Sequence, residues 1–299
     1  MYRDITFRVE GENCAGRLYL PSKEKMNGAG IVLAHGFGGT MDSALFNYAK
    51  LFGEQGFHAL TFDYRGFGLS EGKTRQLISV PKQKADWRAA IDNIRGLDAV
   101  DSSRVGLWGY SFSGGHVLHL ASEDPTISAV VAQCPHVDGF SAMVQSKQYR
   151  TKADEKKFQA MIVSDWLGSF IGHKPNYMNI VPSSSEGMAA LCAPESTQYL
   201  KLVGPSWKNE IAPRSFISGK FSMNNAMDLV DVYKTPTLLQ VAENDQTVSN
   251  EAIYSFARRV GSVVRLDKYD CGHFSVAMPP HIEKVSKSAV AFFSQHLVT

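Results

Sequence analysis

One stretch of the chain constrains its fold more than any other. The apolar run Val105–Trp108 (VGLW) leads directly into Gly109-Tyr110-Ser111-Phe112-Ser113-Gly114-Gly115, and a helix-forming stretch, Gly114–Ser122, follows. A short apolar run with no polar alternation reads as a strand buried on both faces, which is the signature of a parallel sheet. The same grammar recurs. Strand-like runs stand at Gly30–Ala34 (GIVLA), His58–Phe62 (HALTF), Ile127–Ala132 (ISAVVA), Thr237–Val241 (TLLQV) and Val263–Leu266. Helix-like stretches lie between them, at Ser43–Gln55, Asn250–Val260 and Ile282–Leu297. Another opens at Pro81 and carries Trp87, Ala90, Ile91 and Ile94 on one apolar stripe. Strands alternating with helices predict an α/β chain with a mainly parallel central sheet and helices on both faces. Ahead of this rhythm, Ile5–Val9 and Gly16–Leu20 read as a hairpin around Gly11–Glu12–Asn13.

The rhythm stops after Cys134-Pro135 and resumes at Thr237. The intervening stretch is too long for a loop. It is rich in Met, Ser, Lys and aromatics and has helix-like pieces at Ala153–Phe170 and Glu186–Val203. The expected organisation is one core domain, residues 1–137 and 231–299, with a helical cap at 138–230. A length of 299 residues suits such a domain.

Composition narrows the class of partner. Thirty-one basic against 29 acidic residues leave a net charge of +2, so neither nucleic acid nor an anionic membrane is expected to be the partner. The charge run Lys152–Lys157 has mixed signs and reads as a solvated helix face. No segment approaches the roughly 18 apolar residues of a membrane helix, and the opening MYRDITFRVE lacks a signal-peptide core. Cys14, Cys134, Cys192 and Cys271 lie far apart and form no C-x-x-C pair. No disulfide framework and no metal site are expected, and a cytoplasmic location is the simplest reading. His116 and His119 share a helix face with no ligand partner apparent, and read as ordinary helix residues.

Ser111 sits where a sharp strand-to-helix turn would hold a nucleophile. Such a turn needs small neighbours because the serine backbone is strained, and Gly109 and Ser113 flank it. The pattern departs from G-x-S-x-G at Ser113, with Gly114 one residue late. The first central strand ends in His35-Gly36-Phe37-Gly38-Gly39, where close backbone approach would let N–H groups face a developing oxyanion. By position, the Phe37 and Phe112 N–H groups would be the donors, with His35 as a structural anchor. Those glycines fit an oxyanion loop better than a dinucleotide fingerprint, so no cofactor is expected. Strand TLLQV is followed by Glu243 and Asp245, and ISAVVA by Asp138; periodicity does not choose among these carboxylates. His273 follows the last strand. Parallel strands share one C-terminal rim, so Ser111, an acid and His273 can meet there. Cys134 and Cys271 lie near this rim and read as small buried residues.

Taken together these residues resemble the α/β-hydrolase superfamily, over residues 5–133 and 232–299. The run Asp63-Tyr64-Arg65-Gly66-Phe67-Gly68-Leu69-Ser70 is similar to that family's D-x-R-G-x-G-x-S turn. The runs LWGYSFSGGHV, PNYMNIV and APESTQYLKLVGPSWKNEIAPR resemble a subgroup near the dienelactone-hydrolase and X-Pro-peptidase-like enzymes, including fungal polyketide thiohydrolases and acyl transferases. The resemblance implies an α/β-hydrolase fold and a catalytic triad of Ser111, Asp245 and His273. The implied reaction is cleavage of a carboxylic ester or thioester through an acyl-serine. The same triad would serve an acyl transferase or a carbon–carbon bond-forming enzyme, and an amidase or peptidase is also open. A non-catalytic binding protein on this fold is the rival from another class, though the chain keeps all three triad residues. The expected partner is a small acyl substrate, free or bound to a carrier or CoA, and homodimerisation is left open. Tyr110, Tyr149, Trp166, Tyr177 and Trp207, with Met161, Phe170 and Met178, are the candidate substrate-pocket residues, against a competing role in packing cap on core.

Overall fold

The computed structural model describes residues 1–183, 188–217 and 225–298. Eight strands form one sheet: β1 (Tyr2–Val9), β2 (Glu12–Tyr19), β3 (Gly30–Ala34), β4 (His58–Phe62), β5 (Val105–Tyr110), β6 (Ile127–Gln133), β7 (Thr237–Ala242) and β8 (Val264–Tyr269). Their order across the sheet is β1-β2-β4-β3-β5-β6-β7-β8. β1 and β2 pair antiparallel, as do β2 and β4, and every later pairing is parallel. The chain thus winds outward from β3 to β4, then crosses back so that β5 pairs with the other edge of β3. Where winding reverses, the loops leaving neighbouring strands diverge and open a crevice at the carboxyl ends.

Helices cover both faces. α1 (Leu45–Glu54) and the C-terminal helix pack together on one side, where Phe52 meets Phe293 edge-on at 5.6 Å. α2 (Val80–Arg95) and α3 (Phe112–Glu123) lie together against β1, β3, β5 and β6. The remaining core helices are α6 (Asn250–Val260), beside β7 and β8, and α7 (His281–Leu297). β3, β4, β5 and β7 are buried at every residue, which is why their sequences read as continuous apolar runs. In α2, Pro81 stands in the first turn, and Trp87, Ala90, Ile91 and Ile94 are all buried.

The hairpin turn lies one residue earlier than the sequence suggested. Val9 pairs with Glu12, and the two turn residues Glu10 and Gly11 both have positive φ, 48° and 89°. That is the primed turn whose twist matches the flanking strands.

Between β6 and β7 the described residues form α4 (Gly139–Lys147), α5 (Lys152–Phe170) and 3-10 helices at Pro194–Lys201, Pro213–Phe216 and Ala226–Leu229. Thr151 caps α5 by accepting the Asp154 N–H. The helix expected over Glu186–Val203 begins on residues outside the described ones. From 188 onward the chain makes a bridge at Ala189 and then the 3-10 helix. No helix among the described residues is long and apolar enough to cross a membrane.

Candidate active site

β5 delivers Ser111 to the crevice. Its backbone sits at φ 56° and ψ −114°, a strained pair for a residue with a side chain, between the last residue of β5 and the first of α3. The strain is held from both sides: Ser111 N–H donates to the Gln133 carbonyl (2.8 Å), and its own carbonyl accepts from Gly114 and His136 N–H, both at 2.9 Å. A side chain at Gly109 would overlap the Ser113 carbonyl, so that glycine is obligatory. Position 113 has room because its side chain leaves the turn. Ser113 Oγ donates to the His35 carbonyl and meets the Tyr64 hydroxyl, which accepts from Trp87 Nε1 at 2.7 Å. Trp87 only donates and the His35 carbonyl only accepts, so the chain of hydrogen bonds runs one way, from α2 to the end of β3. The departure from the family pattern at Ser113 therefore has a structural use.

Asp245, after β7, and His273, after β8, converge on Ser111. His273 Nε2 lies 3.0 Å from Ser111 Oγ, and His273 Nδ1 lies 2.6 Å from Asp245 Oδ2. The other Asp245 oxygen accepts the N–H groups of Thr247 (2.7 Å) and Val248 (2.9 Å), which fixes the carboxylate plane. Burial pushes the His273 pKa down, but the charge and hydrogen bond of Asp245 outweigh it, and the net shift is upward. The rival acids lie elsewhere. Glu243 points outward toward Lys268 (3.6 Å), and Asp138 caps α4 by accepting the Phe140 and Ser141 N–H groups.

Gly36 rests against the serine: a Cβ there would come within 2.8 Å of Ser111 Cβ. Phe37 follows it. Phe112 opens α3, in the turn that carries the positive end of the helix dipole. Their rings meet edge-on at 6.2 Å. His35 is buried, bonded through Nδ1 to the Gly36 carbonyl (3.0 Å), and burial lowers its pKa to about 4, so it stays a neutral anchor at physiological pH. His136 also borders the site and is held neutral in the same way, its pKa lowered to about 4 chiefly by burial.

Cys134, Asp245 and His273 place donor atoms within 4.8 Å of one another. Both His273 ring nitrogens are already engaged. Burial first, then the nearby Asp245 charge, pushes the Cys134 thiol well above its ordinary range, and the Cys271 thiol up to about 11. That donor set suits a proton relay better than a cation.

A cavity of about 440 Å³ opens over Ser111 and His273. Apolar side chains dominate its wall: Phe37, Phe140, Met143, Phe158, Ile162 and Leu191 among them. Lys147, Arg150, Glu155 and Gln159, from α4, α5 and the turn between them, bring charge and polarity. Of the eight pocket residues proposed from sequence, Tyr110 borders this cavity; its hydroxyl also donates to the His273 carbonyl (2.7 Å), and its ring stacks on the imidazole. The structure places the others outside the wall. Trp166 lies on the outer face of α5 against Phe170, and Tyr177 reaches the Arg75 carbonyl. Trp207 packs behind Tyr199, and Tyr149 stands half-buried in the turn after α4. Met161 borders a separate groove, and Met178 bridges to Ile211. Periodicity had no means of ranking aromatics in a segment without a regular stripe.

Residues 31–277 match the family model described as the alpha/beta hydrolase fold. The chain belongs to this family. Over 98% of its length, and 94% of the relative's, this α/β hydrolase is 33% identical to the quorum-quenching protein AidA of Acinetobacter baumannii. It is 28% identical to the thiohydrolase apmlB of Arthrinium phaeospermum, over 68% of this chain and 66% of the relative. The polyketide transferase grgF of a Penicillium species is 29% identical over 83% of this chain and 81% of its own. The crystal structure of GrgF superposes over the whole of both chains with a TM-score of 0.82 and 21% identity, a likeness of fold. The resemblance to fungal polyketide thiohydrolases and transferases drawn from the motifs holds.

Proposed function

We propose that this α/β hydrolase cleaves a carboxylic ester or thioester through an acyl-serine intermediate. The observation that carries the reading is the unbroken line Ser111 Oγ–His273 Nε2–Nδ1–Asp245 Oδ2, with spacings of 3.0 and 2.6 Å, at the base of an apolar cavity. Ser111 Oγ attacks the substrate carbonyl carbon while its proton passes to His273 Nε2. Asp245 holds the ring with Nδ1 protonated and stabilises the imidazolium that forms. The carbonyl oxygen becomes an oxyanion, received by the Phe37 and Phe112 N–H groups and favoured by the dipole of α3. Collapse breaks the bond to the alkoxide or thiolate, which takes the proton from His273. Water deprotonated by His273 then attacks the acyl carbon; as the acyl–Oγ bond breaks and the acid leaves, His273 returns that proton to Ser111 Oγ. The segment between β6 and β7 acts as a cap: α4, α5 and the chain beyond them supply the apolar wall that seats the acyl group. The test is turnover on a panel of acyclic esters, lactones and thioesters by wild type and Ser111→Ala. Turnover should need Ser111 and should favour apolar acyl groups.

A second reading keeps the acylation half and replaces water with an alcohol, amine or carbanion acceptor. The transferase-named relative favours it. Product analysis with and without candidate acceptors separates the two.

A further inference from the structure

One short element of the inserted segment touches the loops of Asp245 and His273 and the turn after β3. Glu195, in the 3-10 helix Pro194–Lys201, is buried at 8% exposure. Its Oε2 accepts the His273 N–H at 2.8 Å, and its Oε1 accepts the Gln246 N–H at 2.6 Å and the Thr247 hydroxyl at 3.3 Å. A single carboxylate thus spans the loop of the base and the loop of the acid. Four residues on, the Tyr199 hydroxyl donates to the Phe37 carbonyl at 3.1 Å, and its ring stacks on Phe274 at 5.3 Å. We infer that this 3-10 helix sets the geometry of the reaction centre. Glu195 is the positioning residue for the acid and base loops, and Tyr199 is the positioning residue for the turn after β3.

The inference rests on the serine-hydrolase reading. Three loops leave three different strands; past the sheet edge the loops of Asp245 and His273 share the bond from Asn244 N–H to the Cys271 carbonyl (3.0 Å), and Glu195 adds a second tie closer to the two side chains. Two oxygens of one buried side chain fix the distance between the Asp245 and His273 loops more tightly than water would. The short approach of Glu195 to the base loop also explains Gly272, where a side chain would overlap Glu195 Oε2. The charge matters as well as the contact. Around His273 stand Asp245 from the β7 loop, Glu195 from the 3-10 helix, Cys134 and His136 after β6, and Tyr110 on β5. Of these, Asp245 and Glu195 both act to raise the His273 pKa, against the burial that lowers it. Neutralising Glu195 should therefore let His273 lose its proton at lower pH.

The test is the rate of fluorophosphonate labelling of Ser111 against pH, in full-length wild type, Glu195→Gln and Tyr199→Phe. The amide keeps one acceptor but turns an N–H toward the other donor. Labelling of Glu195→Gln should slow on the order of 10- to 100-fold, with its acid limb moved to lower pH. A residue that merely held the fold together would not move that limb. Tyr199→Phe should also slow, with the limb unmoved, because its ring stays stacked on Phe274. Should Glu195→Gln fail to unfold cooperatively, Tyr199→Phe decides, since it removes one oxygen from a ring that keeps its packing. Labelling of the folded variants at the wild-type rate with the wild-type pH profile overturns the inference and leaves the hydrolase reading intact. Absence of labelling in wild type overturns both.

Discussion

Ser113 shows how a single residue can depart from a family pattern and still serve it. Its hydroxyl closes the run of hydrogen bonds from Trp87 through Tyr64 to the carbonyl of His35, beside the turn expected to face the oxyanion. Ser113→Gly would restore the family pattern, yet it takes the donor from the His35 carbonyl and leaves the Tyr64 hydroxyl, still accepting from Trp87, without an acceptor for its own proton. We expect it to destabilise the fold by about 1–3 kcal/mol, read as a lower unfolding midpoint, together with slower Ser111 labelling. Unchanged stability would mean that the hydroxyl is idle. At His273 the sign of the pH effect follows from the upward shift of its pKa. Acylation needs the neutral ring, so activity should rise with pH through an acid limb above the ordinary histidine value. Asp245→Asn removes the charge that raises the pKa. It should move the limb down and lower the plateau by orders of magnitude, because the ring loses its tautomer partner. A limb that stays in place in Asp245→Asn would remove Asp245 from that role.

At the scale of elements, legibility in the sequence tracked periodicity. β3, β4, β5 and β7 are buried along their whole length, and each was readable as an apolar run. That Ser111, a carboxylate and His273 could meet was readable because each follows a strand and parallel strands share a rim; the choice of Asp245 came from the family resemblance, and β8, ahead of His273, is largely unburied. α4 was not readable: none of its residues is buried, so it carries no apolar stripe facing a core. The 3-10 helix Pro194–Lys201 falls inside the helix-like piece read at Glu186–Val203, but nothing in that reading marked Glu195, which lies 50 residues before Asp245 in the chain. Only three-dimensional packing brings it to the site. The cavity wall yields its own prediction. Met143, on α4, borders the cavity and is partly exposed, so a larger side chain fits without displacing the core. Met143→Trp should raise KM several-fold for long acyl esters and leave acetyl ester turnover within about 2-fold, since apolar contact in a pocket is worth about 1–3 kcal/mol. Equal effects on both would remove α4 from acyl recognition.

For the whole molecule, the winding of the sheet explains why a site forms here at all. The chain reverses direction at β3, and the loops leaving β3 and β5 separate. The loops carrying Asp245 and His273 then arrive from β7 and β8 on the same rim, and the inserted segment covers the crevice and reaches back into it through Glu195 and Tyr199. The core and the insert are thus joined at the chemistry itself. In the proposed reaction this assembly activates Ser111. The decisive measurement is intact mass after exposure to a fluorophosphonate, for wild type and Ser111→Ala side by side. Wild type should carry one adduct and the variant none; no adduct on folded wild type, or the same adduct on Ser111→Ala, would mean that Ser111 is not the activated group.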